Sequence, residues 1–368
     1  MNITKIIGQF DLAGTLQSLT SNKEGLINNT YISTFVDERG VLHRYTHQRL
    51  NRTVFPNPEA VMTNILLVTD HLRRKVADRS DAERRCLVPV PTKQRAWWAY
   101  DEQGELWRTY HYIGQVQTYS FLRDSSLAQR FGRAVATFQA DLADFPSDWL
   151  TQTIPNFHHM GVRYEQFETA VAEDRAKRLG NVGEEVAFFT ANKERAMGIT
   201  EALERGTIPL RVTHNDTKVN NVLFDEVSGE GLCMIDLDTV MGGSALFDTG
   251  DMIRTGCITA AEDEPDLQKV RFDLDLFRGL IGGYRSVADT FLTEAERSLL
   301  GESGRAITLI MGLRMLTDYL VGDQYYRVAY PEHNLTRART QIKLIKEMDR
   351  HWDQIQTICH ASSHLPTE

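Results

Sequence analysis

One segment gathers the residue types that act together on phosphoryl groups: Thr213-His214-Asn215-Asp216-Thr217-Lys218-Val219-Asn220-Asn221, followed by an apolar run ending in Ile235-Asp236-Leu237-Asp238. The transition state of phosphoryl transfer spreads negative charge over the transferred oxygens. Catalysis therefore consists of orienting an acceptor hydroxyl and holding a metal and cations around that charge. Asp216 has the chemistry to receive the hydroxyl proton, and Asn221 and Asp236 offer the oxygen ligands that a hard divalent cation takes. Lys218 carries a charge suited to a phosphate. Asp and Asn also cap helices and shape turns, so the loop alone is ambiguous. The second Asp, at the end of an apolar strand and downstream in the chain, makes the pattern specific. His214 is expected to support the loop through hydrogen bonds rather than act on substrate.

Two kinds of element must position these groups. Up to about residue 113 the sequence reads as strands at Gly14 to Thr20, Asn28 to Val36, Val41 to Leu50, Cys86 to Val90, Gln94 to Tyr100 and Leu106 to Ile113. Turn residues separate them, and together they predict about five antiparallel strands. One helix, Ala60 to Lys75, interrupts them, with Val61, Ile65, Val68 and Leu72 at helical spacing. Beyond Gly114 the apolar periodicity is helical over Ser125 to Leu142, Tyr164 to Leu179, Glu184 to Glu204, Asp273 to Asp289, Glu294 to Gly322 and Asn334 to Ala361. Short strands at Pro209 to Thr213, Asn221 to Phe224 and Leu232 to Leu237 frame the polar loops. The expected fold is α+β in two parts, a β-rich lobe over 1–113 and a mostly helical lobe over 114–368.

The composition narrows the function classes. With 42% hydrophobic and 25% charged residues in 368, the chain can bury a substantial core. A formal charge of -9 disfavours binding along a nucleic-acid backbone. No segment reads as a membrane span and the amino terminus lacks a secretory cleavage pattern, so a cytoplasmic protein without a membrane partner is expected. Cys86, Cys233, Cys257 and Cys359 have no paired spacing and read as buried thiols. The stretch Glu262-Asp263-Glu264 reads as a solvated loop. A monomer is the working expectation for the oligomeric state.

The loop resembles the catalytic loop of protein kinases and, with Asn215 inside the H-x-D, more closely that of the aminoglycoside phosphotransferase and choline kinase superfamily. Within it, Leu210 to Lys218, Ile235-Asp236-Leu237-Asp238-Thr239 and Tyr330-Pro331-Glu332-His333-Asn334 resemble the N-acetylhexosamine 1-kinases. The resemblance runs from about Gly25 to about Met348 and implies a bilobal protein-kinase-like fold. It implies ATP as co-substrate, Asp216 as catalytic base, Lys218 near the transferred phosphate, and Mg²⁺ held by Asn221 and Asp236. Asp248 would fasten the catalytic loop from below. For the nucleotide it implies Gly25 and Asn28 in a phosphate-covering turn, Gln48 where kinases carry a strand-three Lys, Leu66 where the following helix carries its Glu, and Tyr112 and Ile113 in the segment facing adenine. For the acceptor it implies Asp216 with Leu26, Thr239, Arg314 and Tyr325 around a small sugar that is phosphorylated on its anomeric hydroxyl.

Read as residues alone, Arg314 is equally a surface arginine on an apolar helix and Tyr325 a core aromatic. Two other readings stay open. One is a superfamily kinase acting on choline, an amino acid or an aminoglycoside, for which Asp238 and Asp248 would help supply carboxylates. The other is a nucleotide- or sugar-binding protein without transfer activity. Leu26 occupies a position where the resembled family carries a sugar-contacting His. Leu26→His is expected to raise the ratio of kcat/KM for N-acetylated over plain hexoses by up to roughly tenfold, the worth of one neutral hydrogen bond. Competition assays across N-acetylglucosamine, N-acetylgalactosamine, glucose and galactose would measure it; an unchanged ratio assigns Leu26 to packing alone.

Overall fold

The computed structural model describes residues 3–22 and 28–361. Gly25 and Leu26 lie outside the described residues. The chain opens with a short helix, α1 (Ile3–Ile7), whose Ile6 and Ile7, with Phe10, pack against Ala99 and Trp107. Five strands follow, β1 (Thr15–Asn22), β2 (Asn29–Val36), β3 (Leu42–Arg49), β4 (Ala99–Tyr100) and β5 (Leu106–His111), in an antiparallel sheet of order β1-β2-β3-β5-β4. Between β3 and β4 runs α2 (Pro58–Val76), started by Pro58 and capped by the Asn57 side chain on the Ala60 N–H. Its Val61, Ile65, Val68 and Leu72 bury against Leu106 and Tyr110. Strand alternation therefore turns Arg108 toward the same face.

The Cys86 to Val90 strand is not formed. Only an isolated bridge from Pro89 to Tyr110 and single bonds such as Val90 N–H to the Thr109 carbonyl tie that segment to β5. Pro89 and Pro91 remove the donors a full ladder needs. Likewise only Ala99 and Tyr100 of the Gln94 to Tyr100 run are extended.

The larger lobe is helical around small strands. Its elements in order are β6 (Val116–Gln117), α3 (Ser125–Asp141), α4 (Met160–Glu173), α5 (Gly183–Ala196), α6 (Gly198–Glu204), β7 (Arg211–Thr213), β8 (Val222–Asp225), β9 (Gly231–Met234) and β10 (Met241–Gly243). Then come α7 (Ala245–Gly256), α8 (Leu274–Ala288), α9 (Glu294–Ser298), α10 (Leu300–Val321), α11 (His333–Arg350) and α12 (Trp352–His360). Four of the predicted long helices are shorter than their periodicity, the one from Glu294 being split at Leu299 into α9 and α10. The one from Tyr164 stops at Glu173, because Asp174 turns left-handed at φ 37°. The ones from Glu184 and Asn334 are each interrupted once, near Met197 and at His351. Helix α7 was not among the expected helices; it is short, carries Gly250 and Gly256, and is buried except at Thr255, including Asp248 and Asp251.

Helices α3 and α8 touch backbone to backbone. A Cβ on Gly283 would lie 1.9 Å from the Gln129 carbonyl oxygen, whereas one on Gly282 would meet nothing within 4 Å. Gly283→Ala is therefore expected to destabilise by about 1–3 kcal/mol or more through overpacking. Gly282→Ala should stabilise by about 0.4–1 kcal/mol by restricting the unfolded chain. Urea unfolding of the two variants checks this; equal shifts would show that the helices separate at no cost.

Candidate active site

The catalytic-type loop leaves β7, which pairs with β10, Thr213 opposite Met241. It is built on one buried carboxylate. Asp248, in the first turn of α7 and wholly buried, accepts the His214 N–H at 3.0 Å, the Asn215 N–H at 2.7 Å and Gln139 Nε2 at 3.2 Å, while its own carbonyl accepts the Thr217 hydroxyl at 2.5 Å. Burial pushes this carboxyl up and the N–H donors oppose that. Asn215 takes a left-handed φ of 65°, secured by its side chain on the Thr213 and Thr239 carbonyls. His214 is wholly buried, with Nε2 on the Ile235 carbonyl at 2.9 Å and Nδ1 facing the Asp216 N–H at 3.3 Å. Its two ring nitrogens thus join the Asp216 and Asp236 segments.

Above this base the four groups singled out by sequence converge. Lys218 Nζ lies 3.0 Å from Asp216 Oδ2, and Asn221 Nδ2 donates to the same oxygen at 3.0 Å and to the Asp216 carbonyl at 2.9 Å. The Ile235 N–H donates to the Asn221 carbonyl at 2.9 Å, which sets Asp236 beside Asn221. Asp236 adopts a left-handed backbone, φ 62°. A non-glycine residue holds that conformation at a cost, and such residues concentrate at working sites. Its carboxylate makes no hydrogen bond or ion pair among the described residues. Burial, then the neighbouring Asp238 and Asp216, push it up to about 6. For Asp216 burial acts upward too, but Lys218, His214 and Arg254 together hold the carboxyl below its ordinary value. Asp216 in turn holds Lys218 well above its ordinary value. An uncompensated carboxylate next to an amide oxygen, both on firm backbone, fits a hard cation. Among the described residues no group of three or more His, Cys, Asp or Glu forms a metal cage.

On the small-lobe side Asn28 is buried, its Nδ2 donating to Asp238 Oδ2 at 2.6 Å and its Oδ1 accepting the Asn51 N–H at 3.1 Å. Gln48 lies opposite Arg108 in the β3–β5 register and accepts from its Nε at 3.0 Å and Nη2 at 2.8 Å. Arg108 Nη1 then reaches Asp238 Oδ1 at 2.5 Å. Arg108 escaped the sequence reading because its partners are remote in the chain; the available signal was an arginine inside an otherwise apolar strand. The helix position Leu66 carries no acid, and α2 is instead docked by Asn64, whose Nδ2 donates to the Thr151 and Val240 carbonyls at 2.7 and 2.9 Å. In the linker the Tyr112 ring is covered by the Arg44 guanidinium at 3.8 Å. Ile113 packs with Leu232 and Cys233, against half-buried Leu223 and Ile235. The large-lobe members of that apolar patch, Leu223, Leu232, Cys233 and Ile235, were not foreseen.

Of the residues expected around the acceptor, Thr239 is buried and its hydroxyl donates to the His214 carbonyl at 2.7 Å. Arg314 is buried rather than on the surface and Tyr325 is exposed rather than in the core. They meet: the Arg314 guanidinium lies 4.6 Å from the Phe157 ring centre, 5.4 Å from Tyr325 and 5.7 Å from Tyr326. His158 lies tilted against Phe157, ring centres 4.4 Å apart, and brings its Nε2 within 3.3 Å of the Asn215 carbonyl, so this cluster abuts the catalytic-type loop. Asp318 fastens the Tyr325 and Tyr326 N–H groups and accepts from Asn334 Nδ2, which gives the Tyr330 to Asn334 string a structural task. The Glu262-Asp263-Glu264 stretch is not simply solvated, since Glu262 pairs with Arg254 at 2.6 Å and Asp263 lies 2.9 Å from His333. Nor do Asp238 and Asp248 form a free carboxylate cluster: both are consumed by the partners described above.

Solved structures share this architecture. An aminoglycoside phosphotransferase from Alicyclobacillus acidocaldarius is 13% identical, with 97% of each chain covered and a TM-score of 0.59. A microcompartment-associated aminopropanol kinase is 16% identical, covering 95% of this chain and 96% of its own, with a TM-score of 0.60. An amicoumacin kinase solved with AMP-PNP, Ca²⁺ and its ligand is 14% identical over 95% and 94%, with a TM-score of 0.56. At such identities they show the fold, an antiparallel sheet lobe on a larger helical lobe. Residues 68–289, more than half of the chain, match the phosphotransferase enzyme family, APH. The protein belongs to that family and is a small-molecule phosphotransferase.

Proposed function

We propose that the protein is an ATP-dependent kinase that phosphorylates the anomeric hydroxyl of an N-acetylated hexosamine, with lobes at 1–113 and 114–368. The observation that carries the acceptor class is Arg314, nine-tenths buried on three aromatic rings, its one hydrogen bond among the described residues going to the Met311 sulfur at 3.5 Å. Arg163 nearby donates to the Phe157 carbonyl and to Gln166, both neutral, and burial followed by the Arg314 charge pushes it down to about 10. The carboxylates Asp251 and Glu262 are taken by Arg254. An amine cation, the acceptor for which the aminopropanol kinase is named, would meet guanidinium groups that lack carboxylate partners. A neutral ring rich in hydroxyl and acyl oxygens instead supplies acceptors to the donors and an apolar face to the aromatics.

In this reading Asp216, kept ionised by Lys218, orients the anomeric hydroxyl and receives its proton. Lys218 then faces the transferred phosphoryl as its charge develops. Asn221 and Asp236 would hold Mg²⁺, which when bound neutralises phosphate charge. Leu223, Ile235 and Ile113 offer an apolar surface to adenine, next to the backbone of Tyr112 and Ile113. Asn28 and Gln48 face the nucleotide from the small lobe, and Thr239 and Tyr325 border the sugar.

ADP release measured over N-acetylglucosamine, N-acetylgalactosamine, the plain hexoses, choline, ethanolamine and an aminoglycoside tests the proposal. The expected outcome is turnover on the N-acetylated sugars, with the 1-phosphate identified by phosphorus NMR; turnover confined to amines would overturn it. Arg314→Ala should raise KM for the sugar about tenfold or more and leave KM for ATP within about twofold, since lost contacts register with the ligand they touch. Asp216→Asn should lower kcat by about 100-fold to 10,000-fold while nucleotide binding persists. Near wild-type turnover in that variant would remove Asp216 from the chemistry.

A further inference from the structure

We propose that Arg108 is the nucleotide-positioning cation of this site, doing from β5 what kinases do with a lysine on the third strand. The inference rests on the phosphotransferase reading. Kinases hold the α and β phosphates with a strand-three Lys that is itself held by a helix Glu. Here β3 presents Gln48 and α2 presents Leu66, so both charges of that pair are missing from their places. The register nonetheless returns a cation to the same location, because Gln48 faces Arg108 and accepts from two of its nitrogens at 3.0 and 2.8 Å. The neutral side chain on β3 thus orients a charge carried by its neighbour.

The anion that balances it has moved as well. Asp238 lies two residues beyond Asp236 and approaches Arg108 Nη1 at 2.5 Å, while its other oxygen takes Asn28 Nδ2 at 2.6 Å. A buried charge needs a partner, and Arg108 is only 1% exposed. Burial alone would favour a neutral Arg108, but Asp238, Tyr110 and Asp236 together keep it charged. The pairing is incomplete in one respect. Arg108 Nη1 and Asp238 Oδ1 meet as an ion pair without hydrogen-bond alignment, the Tyr110 hydroxyl is buried without a hydrogen-bond partner among the described residues, and the guanidinium lies 5.4 Å from the centre of the Tyr110 ring. An unpartnered Tyr110 hydroxyl beside a guanidinium whose contact with Asp238 is not aligned as a hydrogen bond suits an oxygen-rich anion. A pair serving stability alone gains little over an apolar packing of the same volume.

A purely structural tie between the lobes would affect every ligand of the cleft alike, whereas a phosphate-directed cation acts in proportion to the phosphates present. Binding of ATP, ADP, AMP and adenosine to the full chain, with Mg²⁺ and without acceptor, separates the two by calorimetry. Because Arg108→Met alone strands Asp238, the informative protein is Arg108→Met with Asp238→Asn, which removes both charges. Its affinity for ATP and ADP is expected to fall about tenfold to a hundredfold, the worth of charge-assisted hydrogen bonds. Its affinity for adenosine should stay within about twofold. Adding Gln48→Lys should recover most of the lost ATP affinity by restoring a strand-three charge. Equal loss across all four ligands, or no loss, would overturn the assignment and make Arg108 a lobe tie. Absence of nucleotide binding in the wild-type protein would overturn the phosphotransferase reading beneath it.

Discussion

The Asp248 carboxylate is the constraint on which the rest of the site depends. It satisfies two consecutive backbone N–H groups, those of His214 and Asn215, that a reversing chain would otherwise bury unpaired. The left-handed Asn215 and the orientation of Asp216 follow from that anchoring. Hydrogen bonds to a charged acceptor contribute about 1.5–3 kcal/mol each, enough to hold a strained loop in one form. Gln139 links the same carboxylate to α3, while the Tyr284 hydroxyl from α8 donates to Gln139 Oε1 at 2.7 Å. The helices that touch through Gly283 therefore also set the floor of the cleft.

Above that floor the site balances charge through specific pairs. Asp216 faces Lys218, Asp238 faces Arg108 and Asp251 faces Arg254, which leaves Asp236 as the carboxylate among these four with no cationic partner in contact. Its raised proton affinity expresses the same deficit. A divalent cation relieves that deficit, so metal and nucleotide would complete the electrostatics rather than add to a finished structure. On the acceptor side the imbalance reverses, with Arg314 and Arg163 set among aromatic rings and carbonyls. Opposite imbalances on the two sides of Asp216 give the cleft a direction; under the proposed function, metal and phosphate would lie on one side and a neutral oxygen-rich acceptor on the other.

Much of this organisation was legible in the amino-acid order. The loop Thr213 to Asn221 and the Ile235 to Asp238 segment named four groups that the structure brings together, because their spacing is set locally by short strands. The helix expected over 60–75 and formed over 58–76 followed from an apolar period of 3.6, and β1, β2, β3 and β5 from strand-forming residues between turn signals. The family-like strings in the large lobe pointed to a kinase-type fold, and the match to a phosphotransferase family agrees.

What the order of residues left undecided are contacts between segments distant in the chain. Helix α7 was missed because it is short and carries two glycines, Gly250 and Gly256, which weaken a helical reading. The Cys86 to Val90 strand failed because prolines broke a ladder that its apolar character implied. Asp238 reads from sequence as a spare carboxylate and Arg108 as an odd arginine in a strand. Only the packing of β5 over the metal-side loop makes them a buried pair, with Gln48 holding the guanidinium. Arg314 and Tyr325 exchange their expected environments because α10 is buried while the segment after it, fastened by Asp318, leaves the Tyr325 ring exposed. Sequence alone determined the chemical groups and their local spacing, since these are properties of short stretches of backbone. Tertiary structure decided which charges are paired, because pairing depends on approach across many residues of intervening chain.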